Sequence, residues 1–445
     1  MVLAKTKRSL AMGLAAICLA IPAHAQQSAL TKLNSQAAEM YRQGKFADAA
    51  RIGQEALQEA EKNLGDSPQD VATALSNLGE YQRAEGRYPE AEDALKRALS
   101  IDQKLRGDIH PDVAVDLNNL GLLYASLHRY ADAEPLYKQA LAIDEKVLGP
   151  EHPDVATDLN NLAEAYRAQD KLAEAEPLFK RALSICEKNP DANGLTLATV
   201  LDNLAALYVT QGKPAAAETL LARALALWRK EVPSNHPSVL ATLRTLGSVY
   251  TSLGDYAMAE SRYGMAVSSM EKTGAGTKQQ LAKDLGSLGL VLFLESKYTA
   301  AESPLKRALD LNEKIYGTNA LAVASSLNQL AEVYRVQAKY VEAEPLYKRA
   351  LLIDETIPDP QHNVVANDLR NLATLYSLEG RYSDAEPLLQ RLLSIKEAAL
   401  GPDSPQLVPI LDSYVLVLRV LGCDDEAKPM AVRADTLRSK TAKKP

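Results

Sequence analysis

Aromatic side chains are scarce in this 445-residue chain, with three phenylalanines and one tryptophan, and aromatics make up only 5% of the residues. β-Sandwiches and most α/β enzymes lean on aromatic and β-branched packing, so the shortage points to a core of another kind. Cysteine occurs three times, too rarely for a disulfide framework. Positive charge is not in excess either. Fifty Lys and Arg face 57 Asp and Glu, a formal net charge of -7, which excludes the basic footprint of a nucleic-acid binder. Long apolar runs are missing, so the chain does not read as a polytopic membrane protein. So are the motifs that carry chemistry: no Gly-rich lysine loop, His-Glu-x-x-His, Cys-x-x-Cys or Gly-x-Ser-x-Gly elbow occurs. No cofactor or metal is therefore expected, and no enzyme. What remains is a chain rich in alanine, leucine and charge, the material of amphipathic helices.

The first 25 residues stand apart. Lys5, Lys7 and Arg8 precede an apolar stretch from Leu10 to Ile21, Pro22 breaks it, and Ala23-His24-Ala25 forms a small-x-small site before Gln26. This pattern predicts a secretory signal over 1–25 and export, most simply to the periplasm. The apolar stretch is short for a bilayer span, so no stable membrane insertion is expected after cleavage. Cys18 lies inside that stretch behind Ile17, which does not suit a lipid-attachment site. Cys186 and Cys423 remain, and read as a helix-packing residue or a loop thiol.

The rest of the chain has one period. Alanine stands at 49, 91, 133, 175, 217, 259, 301, 343, 385 and 427, and leucine at 33, 75, 117, 159, 201, 243, 285, 327, 369 and 411. Ten units with no insertion follow, beginning near 30, 72, 114, 156, 198, 240, 282, 324, 366 and 408. In the unit from 114, Leu117, Leu120, Gly121 and Tyr124 make one helical stripe and Ala133, Tyr137, Ala140 and Leu141 a second. The small residues Gly121 and Ala140 let the two backbones approach. The connection Leu148-Gly149-Pro150-Glu151-His152-Pro153 ends one helix at a glycine and starts the next at a proline. Two helices cannot bury their stripes alone, so successive hairpins must stack into a one-dimensional array. The end units depart from the pattern: Gln36 and Gly53 in the first, Val415 and Asp424 in the tenth, as capping repeats require. The second helix of the sixth unit, with Gly264, Met258, Met265 and Met270 before Gly274-Ala275-Gly276, reads as the weakest link.

The stretches Leu159-Asn160-Asn161-Leu162-Ala163 and Ala175-Glu176-Pro177-Leu178-Phe179-Lys180-Arg181-Ala182-Leu183 resemble the tetratricopeptide repeat. With the connection at 148–155, they look like its 42-residue kinesin light chain form. That resemblance implies an all-α fold, a right-handed α-solenoid of ten helix-turn-helix repeats over 30–441, followed by a basic tail at 442–445. It also implies a concave wall built from the first helices, where asparagine commonly clamps a ligand's main chain. An export signal stands where kinesin subunits carry heptads, so no motor role follows.

Counted from each unit's start, positions 4, 7, 8 and 11 face the hairpin, and positions 2, 6, 9 and 13 face away. Position 6 is Asn77, Asn119, Asn161, Asn203 and Asn371, with Thr245, Ser287 and Gln329 between. A carboxamide both donates and accepts, which suits an extended peptide backbone; the competing reading is an asparagine that bonds between repeats. Arg244 and Arg370 lack an acidic partner three residues earlier, unlike Arg83, Arg167 and Arg335 with Glu80, Glu164 and Glu332. Leu290, Phe293 and Leu294 break the polar pattern in the seventh unit, either as an interaction patch or as residues buried against the preceding repeat. His110, His152, His236 and His362 share one position in the connections and read as contacts at helix N-termini. Together these features predict an exported, non-enzymatic scaffold holding a peptide or protein in its concave groove. The alternative is a self-associating structural component of the cell envelope.

Overall fold

The computed structural model describes residues 29–62, 67–189, 194–274, 276–356 and 362–442; the stretch 1–25 expected to be a secretory signal and residues 443–445 of the tail lie outside them. All the regular structure among the described residues is helical, twenty α-helices and one 3₁₀ turn (Pro405–Leu407). The first unit of the molecule runs through Leu253. It holds α1 (Ala29–Arg42), α2 (Phe46–Glu61), α3 (Pro68–Glu85), α4 (Tyr88–Arg106), α5 (Pro111–Ser126) and α6 (Tyr130–Leu148). It continues with α7 (Pro153–Ala168), α8 (Leu172–Lys188), α9 (Gly194–Thr210), α10 (Pro214–Glu231) and α11 (Pro237–Leu253). The second unit starts at Gly254. It holds α12 (Tyr256–Thr273), α13 (Lys278–Leu294), α14 (Tyr298–Tyr316), α15 (Leu321–Val336) and α16 (Tyr340–Thr356). It closes with α17 (His362–Leu378), α18 (Tyr382–Leu400), α19 (Val408–Val420) and α20 (Asp424–Ala442). The architecture is an all-α solenoid of tandem hairpins, odd-numbered helices opening each repeat and even-numbered helices closing it. The division at Leu253–Gly254 falls inside repeat six, directly ahead of its glycine- and methionine-rich helix.

Each hairpin turns through one residue with positive φ, and that residue also recurs every 42 positions. Six are glycines, from Gly44 to Gly422, while His128, Asp170, Ser296 and Ala338 hold the same left-handed backbone at φ between 57° and 61°. An L-residue there is strained by roughly 1–2 kcal/mol, so the hairpin packing on either side must enforce the turn. The helix starts are set locally. His110 Nδ1 accepts from the Asp112 amide at 3.1 Å, and His152 and His236 do the same for Asp154 and Ser238 at 3.2 Å. These histidines are N-caps, as their place in the connections suggested. His362 opens α17, and its side chain lies outside the described residues.

Close approach within a hairpin explains the small residue at position 8. A Cβ built on Gly121 would stand 2.5 Å from Tyr137, and one on Gly79 2.6 Å from Leu95. Position 8 becomes alanine in repeat eight, where Ala331 and Tyr347 are both fully buried. A methyl group therefore fits opposite a tyrosine in that repeat.

Two repeating devices then join neighbouring hairpins. At three seams the glutamate after the periodic alanine accepts from the position-11 tyrosine of the next repeat: Tyr124 to Glu92 at 3.0 Å, Tyr250 to Glu218 at 3.1 Å and Tyr376 to Glu344 at 3.0 Å. A cation at position 16 completes the latch: Lys171 reaches Glu134 at 2.9 Å and Arg381 reaches Glu344 at 2.7 Å. The same cations lie over the tyrosine rings, Arg381 at 4.1 Å from the centroid of Tyr376 and Arg129 at 4.3 Å from that of Tyr124. Hydrogen bonds from Lys138 and Lys171 hold Glu134 down at about 2, and those from Arg381 and Lys348 do the same for Glu344. The period-42 glutamate was visible in the sequence; its role was not.

Candidate functional site

The second joining device is a polar corner, formed where position 5 and position 31 of one repeat meet position 3 of the next. Between repeats three and four the corner holds Asn118, Asp144 and Asp158, with the Asn118 carboxamide donating to the Asp158 carboxylate. Between eight and nine it holds Asn328, Asp354 and Asp368, and Asn328 Nδ2 donates to Asp368 Oδ1 at 2.6 Å. Ser76, Asp102 and Asp116 fill the corner between two and three. Burial, reinforced by the facing carboxyl of Asp144, raises Asp158 well above the usual carboxylate range. Burial and the hydrogen bond to Asp354 push Asp368 up to about 7. Each corner sets two carboxyls side by side out of water, where burial and like charge favour the protonated form of one of them.

Other seams fill the corner differently. Asn312 Nδ2 donates to Ser326 Oγ at 2.9 Å between repeats seven and eight. Between four and five the corner is Cys186 with Val200, both fully buried, and burial pushes the Cys186 thiol up to about 12, which makes it inert. Between five and six the only tryptophan donates Nε1 to Asp202 Oδ2 at 2.7 Å, and Thr242 Oγ1 lies 2.8 Å from the same oxygen. His236 stacks on Trp228 with centroids 6.2 Å apart. Burial raises Asp202 to about 6 despite these two donors. Trp228 emission is accordingly expected to titrate with a midpoint near pH 6, as the carboxylate forms beside the indole. Asp202→Asn should flatten the curve between pH 5 and 7, and an unchanged midpoint would assign the change to another group.

The asparagine row belongs to these seams. Asn119 Nδ2 donates to Ser76 Oγ at 3.0 Å and Asn203 Nδ2 to Asn160 Oδ1 at 3.0 Å, each bonding from position 6 back to position 5 of the preceding repeat. Asn77, Asn119 and Asn161 are only 5–6% exposed. The expectation that position 6 stands on a free face is corrected at these three: the preceding odd-numbered helix covers it, because consecutive first helices pack closely enough to bury a carboxamide. Asn203 and Asn371 are half-buried. Of the arginines, Arg244 is half-buried and already engaged, whereas Arg370 is exposed. The three Glu/Arg pairs satisfy themselves, with N–O distances of 2.5–2.6 Å in Glu80/Arg83, Glu164/Arg167 and Glu332/Arg335.

The seventh-repeat residues divide. Phe293 is half-buried and packs on Tyr298, 5.4 Å between centroids. Leu290 and Leu294 are open to solvent, 44% and 39% exposed. They continue a pattern that sequence reading missed. Position 13 of the four repeats in the second unit is Leu294, Val336, Leu378 and Val420, and Leu416 repeats the position-9 leucine of Leu290. Leu378, Leu416 and Val420 are each more than half exposed. The same position 13 in the first unit is Arg42, Ala84, Ser126, Ala168, Thr210 and Ser252. The signal was again a 42-residue spacing, hidden because it occupies four repeats rather than ten.

Helical hairpins of constant length, left-handed turns in fixed register and small residues at each close approach define one family. The tetratricopeptide repeat profile matches at 28–104, 70–146, 112–188, 196–272, 279–351 and 322–398, most of the sequence. The chain belongs to the tetratricopeptide repeat family. Among solved structures, a Podospora anserina kinesin light chain with nearly identical repeats is 27% identical over 45% of this chain and 95% of its own, with a TM-score of 0.38. The apo form of RapI is 13% identical over 83% of this chain and 97% of its own, with a TM-score of 0.55. A signal transduction ATPase (STAND) protein with a tetratricopeptide repeat sensor, from Pyrococcus horikoshii, is 16% identical over 78% of this chain and 52% of its own, with a TM-score of 0.57. The last two share the fold of this tetratricopeptide repeat chain. No curated protein matches the sequence.

Proposed function

We propose that this tetratricopeptide repeat chain is an exported scaffold whose second unit holds a protein or peptide partner along the outer positions of its odd-numbered helices. One observation carries the reading: Leu290, Leu294, Leu378, Leu416 and Val420 are solvent-exposed at equivalent places on three of the four first helices α13, α15, α17 and α19. Apolar side chains in such register are a liability for a solitary protein and a foothold for a partner. Asn371 and Arg370 on α17 lie close in sequence to this stripe and offer hydrogen bonds to a bound main chain or carboxylate. Asn203 and Arg244 are the corresponding residues of the first unit. The leader pattern at 1–25 supports a periplasmic setting.

Crosslinking and affinity capture from the cell envelope test this with the wild type beside a Leu290→Ser, Leu294→Ser, Leu378→Ser variant. Removing three exposed anchors should weaken capture of a discrete partner at least tenfold with no change in melting temperature. The recovered chain should begin at Gln26. Equal capture by both proteins would sink the stripe as a binding surface. Concentration-dependent light scattering lost in the same variant would favour self-association instead.

A further inference from the structure

The corner between repeats nine and ten is unlike those described above, and we propose that it is an anion site, taking a carboxylate carried on a short apolar chain. Position 5 is Arg370, position 31 is Lys396 and position 3 is Ile410, so two cations and an isoleucine stand where other seams place carboxyl pairs, amides or an indole. Position 6 of repeat ten is Ser413, exposed and too short to reach back as Asn119 and Asn203 do. The unclosed corner opens into a cleft of about 430 Å³ bordered by α17, α18 and α19. Leu389 and Leu392, both nearly inaccessible, form its floor, and Leu400 and Leu416 form an exposed apolar rim. Clefts of this size accept small ligands, and an apolar lining with a few convergent polar groups is their usual build.

The charges define the ligand. Lys396 Nζ donates to the neutral Asn363 Oδ1 at 2.8 Å, and the Arg370 guanidinium makes no side-chain hydrogen bond among the described residues. Of the neighbouring carboxylates, Glu332 bonds Arg335 and Tyr347 while lying within the electrostatic reach of Arg370, Asp412 bonds Arg438 and Glu397 bonds Arg433. Two like charges line one cleft, and an anion there gains attraction from both. A planar carboxylate matches the guanidinium fork in a way that a spherical halide does not. Such a group is presented by a free acyl chain and by the C-terminal residue of a protein. The site rests on the corner geometry, and it shares Arg370 and Leu416 with the surface proposed above.

Titration calorimetry on the full mature chain tests it with decanoate against decanamide, and with a leucine-ended tetrapeptide as free acid against its amide. The acid of at least one pair should bind at least tenfold more tightly than its amide. Arg370→Ala with Lys396→Ala should reduce that affinity at least tenfold. Ser413→Asn, which restores the residue that closes other seams, should weaken binding while leaving both cations in place. Tighter binding of decanoate would make the source a free amphiphile, and of the peptide acid a chain end; either supports the site. Equal affinity for acid and amide, no binding of either acid at millimolar concentration, or full affinity in the double variant would overturn it.

Discussion

Replacing Leu117, Leu159 and Leu201 together by alanine is expected to abolish cooperative folding of the first unit. The three leucines occupy position 4 of consecutive repeats and are 0–4% exposed. A buried Leu→Ala change costs about 2–5 kcal/mol through lost burial and the cavity left behind. Three such changes are comparable with the whole stability of an ordinary domain, roughly 5–15 kcal/mol. In a nearest-neighbour array they also fall on adjacent interfaces, so no intact repeat lies between them to contain the damage. The triple change at Asn119, Asn161 and Asn203 makes the control. It removes two seam hydrogen bonds, worth about 0.5–1.5 kcal/mol each, and an Asn161 amide nitrogen that has no partner among the described residues. Circular dichroism during urea unfolding distinguishes them. A leucine variant with a cooperative transition near the wild-type midpoint would contradict the proposed packing.

Glu80→Ala should have the largest effect of any single polar substitution. Glu80 is 1% exposed and accepts three hydrogen bonds, from Tyr41 Oη at 2.5 Å and from Arg83 Nε and Nη2 at 2.7 and 2.6 Å. Arg83 also donates Nη1 to Ser126 Oγ at 2.9 Å, so the cluster ties repeats one, two and three together. Deleting the carboxylate strands a largely buried guanidinium and a buried phenol, a loss of about 3–5 kcal/mol. Glu80→Leu combined with Arg83→Met removes both charges and should recover most of it, because an apolar pair of similar volume needs no partner. The unfolding free energies of the two variants provide the check. If the single and double changes are equally damaging, shape rather than charge holds this site.

The fold was legible because its determinants are local and periodic. Glycine or proline at fixed places, alanine at each close approach and leucine at each stripe specify a hairpin without reference to distant residues. The histidine caps were legible for the same reason. The seams were not, since they join residues 14, 32, 40 or 43 apart, which no single-helix periodicity relates. A helical wheel drawn for one helix assigns Asn119 to a free face; the packing of the preceding first helix covers it. The Leu290/Leu294 pair emerged because it breaks the polar pattern of its positions, and Arg370 because it lacks an acidic partner three residues earlier. Lys396 did not, because its meaning depends on what positions 5 and 3 place beside it.

The paired aspartates make folding of this chain a proton-uptake reaction near neutrality. Asp368 holds its proton to about pH 7, so its contribution is complete below the ordinary aspartate value of 3.8 and fades as pH rises through 7. The latch glutamates run the other way. Glu134 and Glu344, held near 2, contribute fully above 4.5 and fade as pH falls toward 2. The two sets of carboxyls therefore tighten the array in opposite directions along the pH scale, and their contributions overlap in mild acid. A rise toward alkaline pH loads extra charge on the seams between repeats two and three, three and four, and eight and nine, leaving the seam of Cys186 and Val200 untouched. The array is thus stiff at fixed places and titratable at others, a pattern written one repeat at a time.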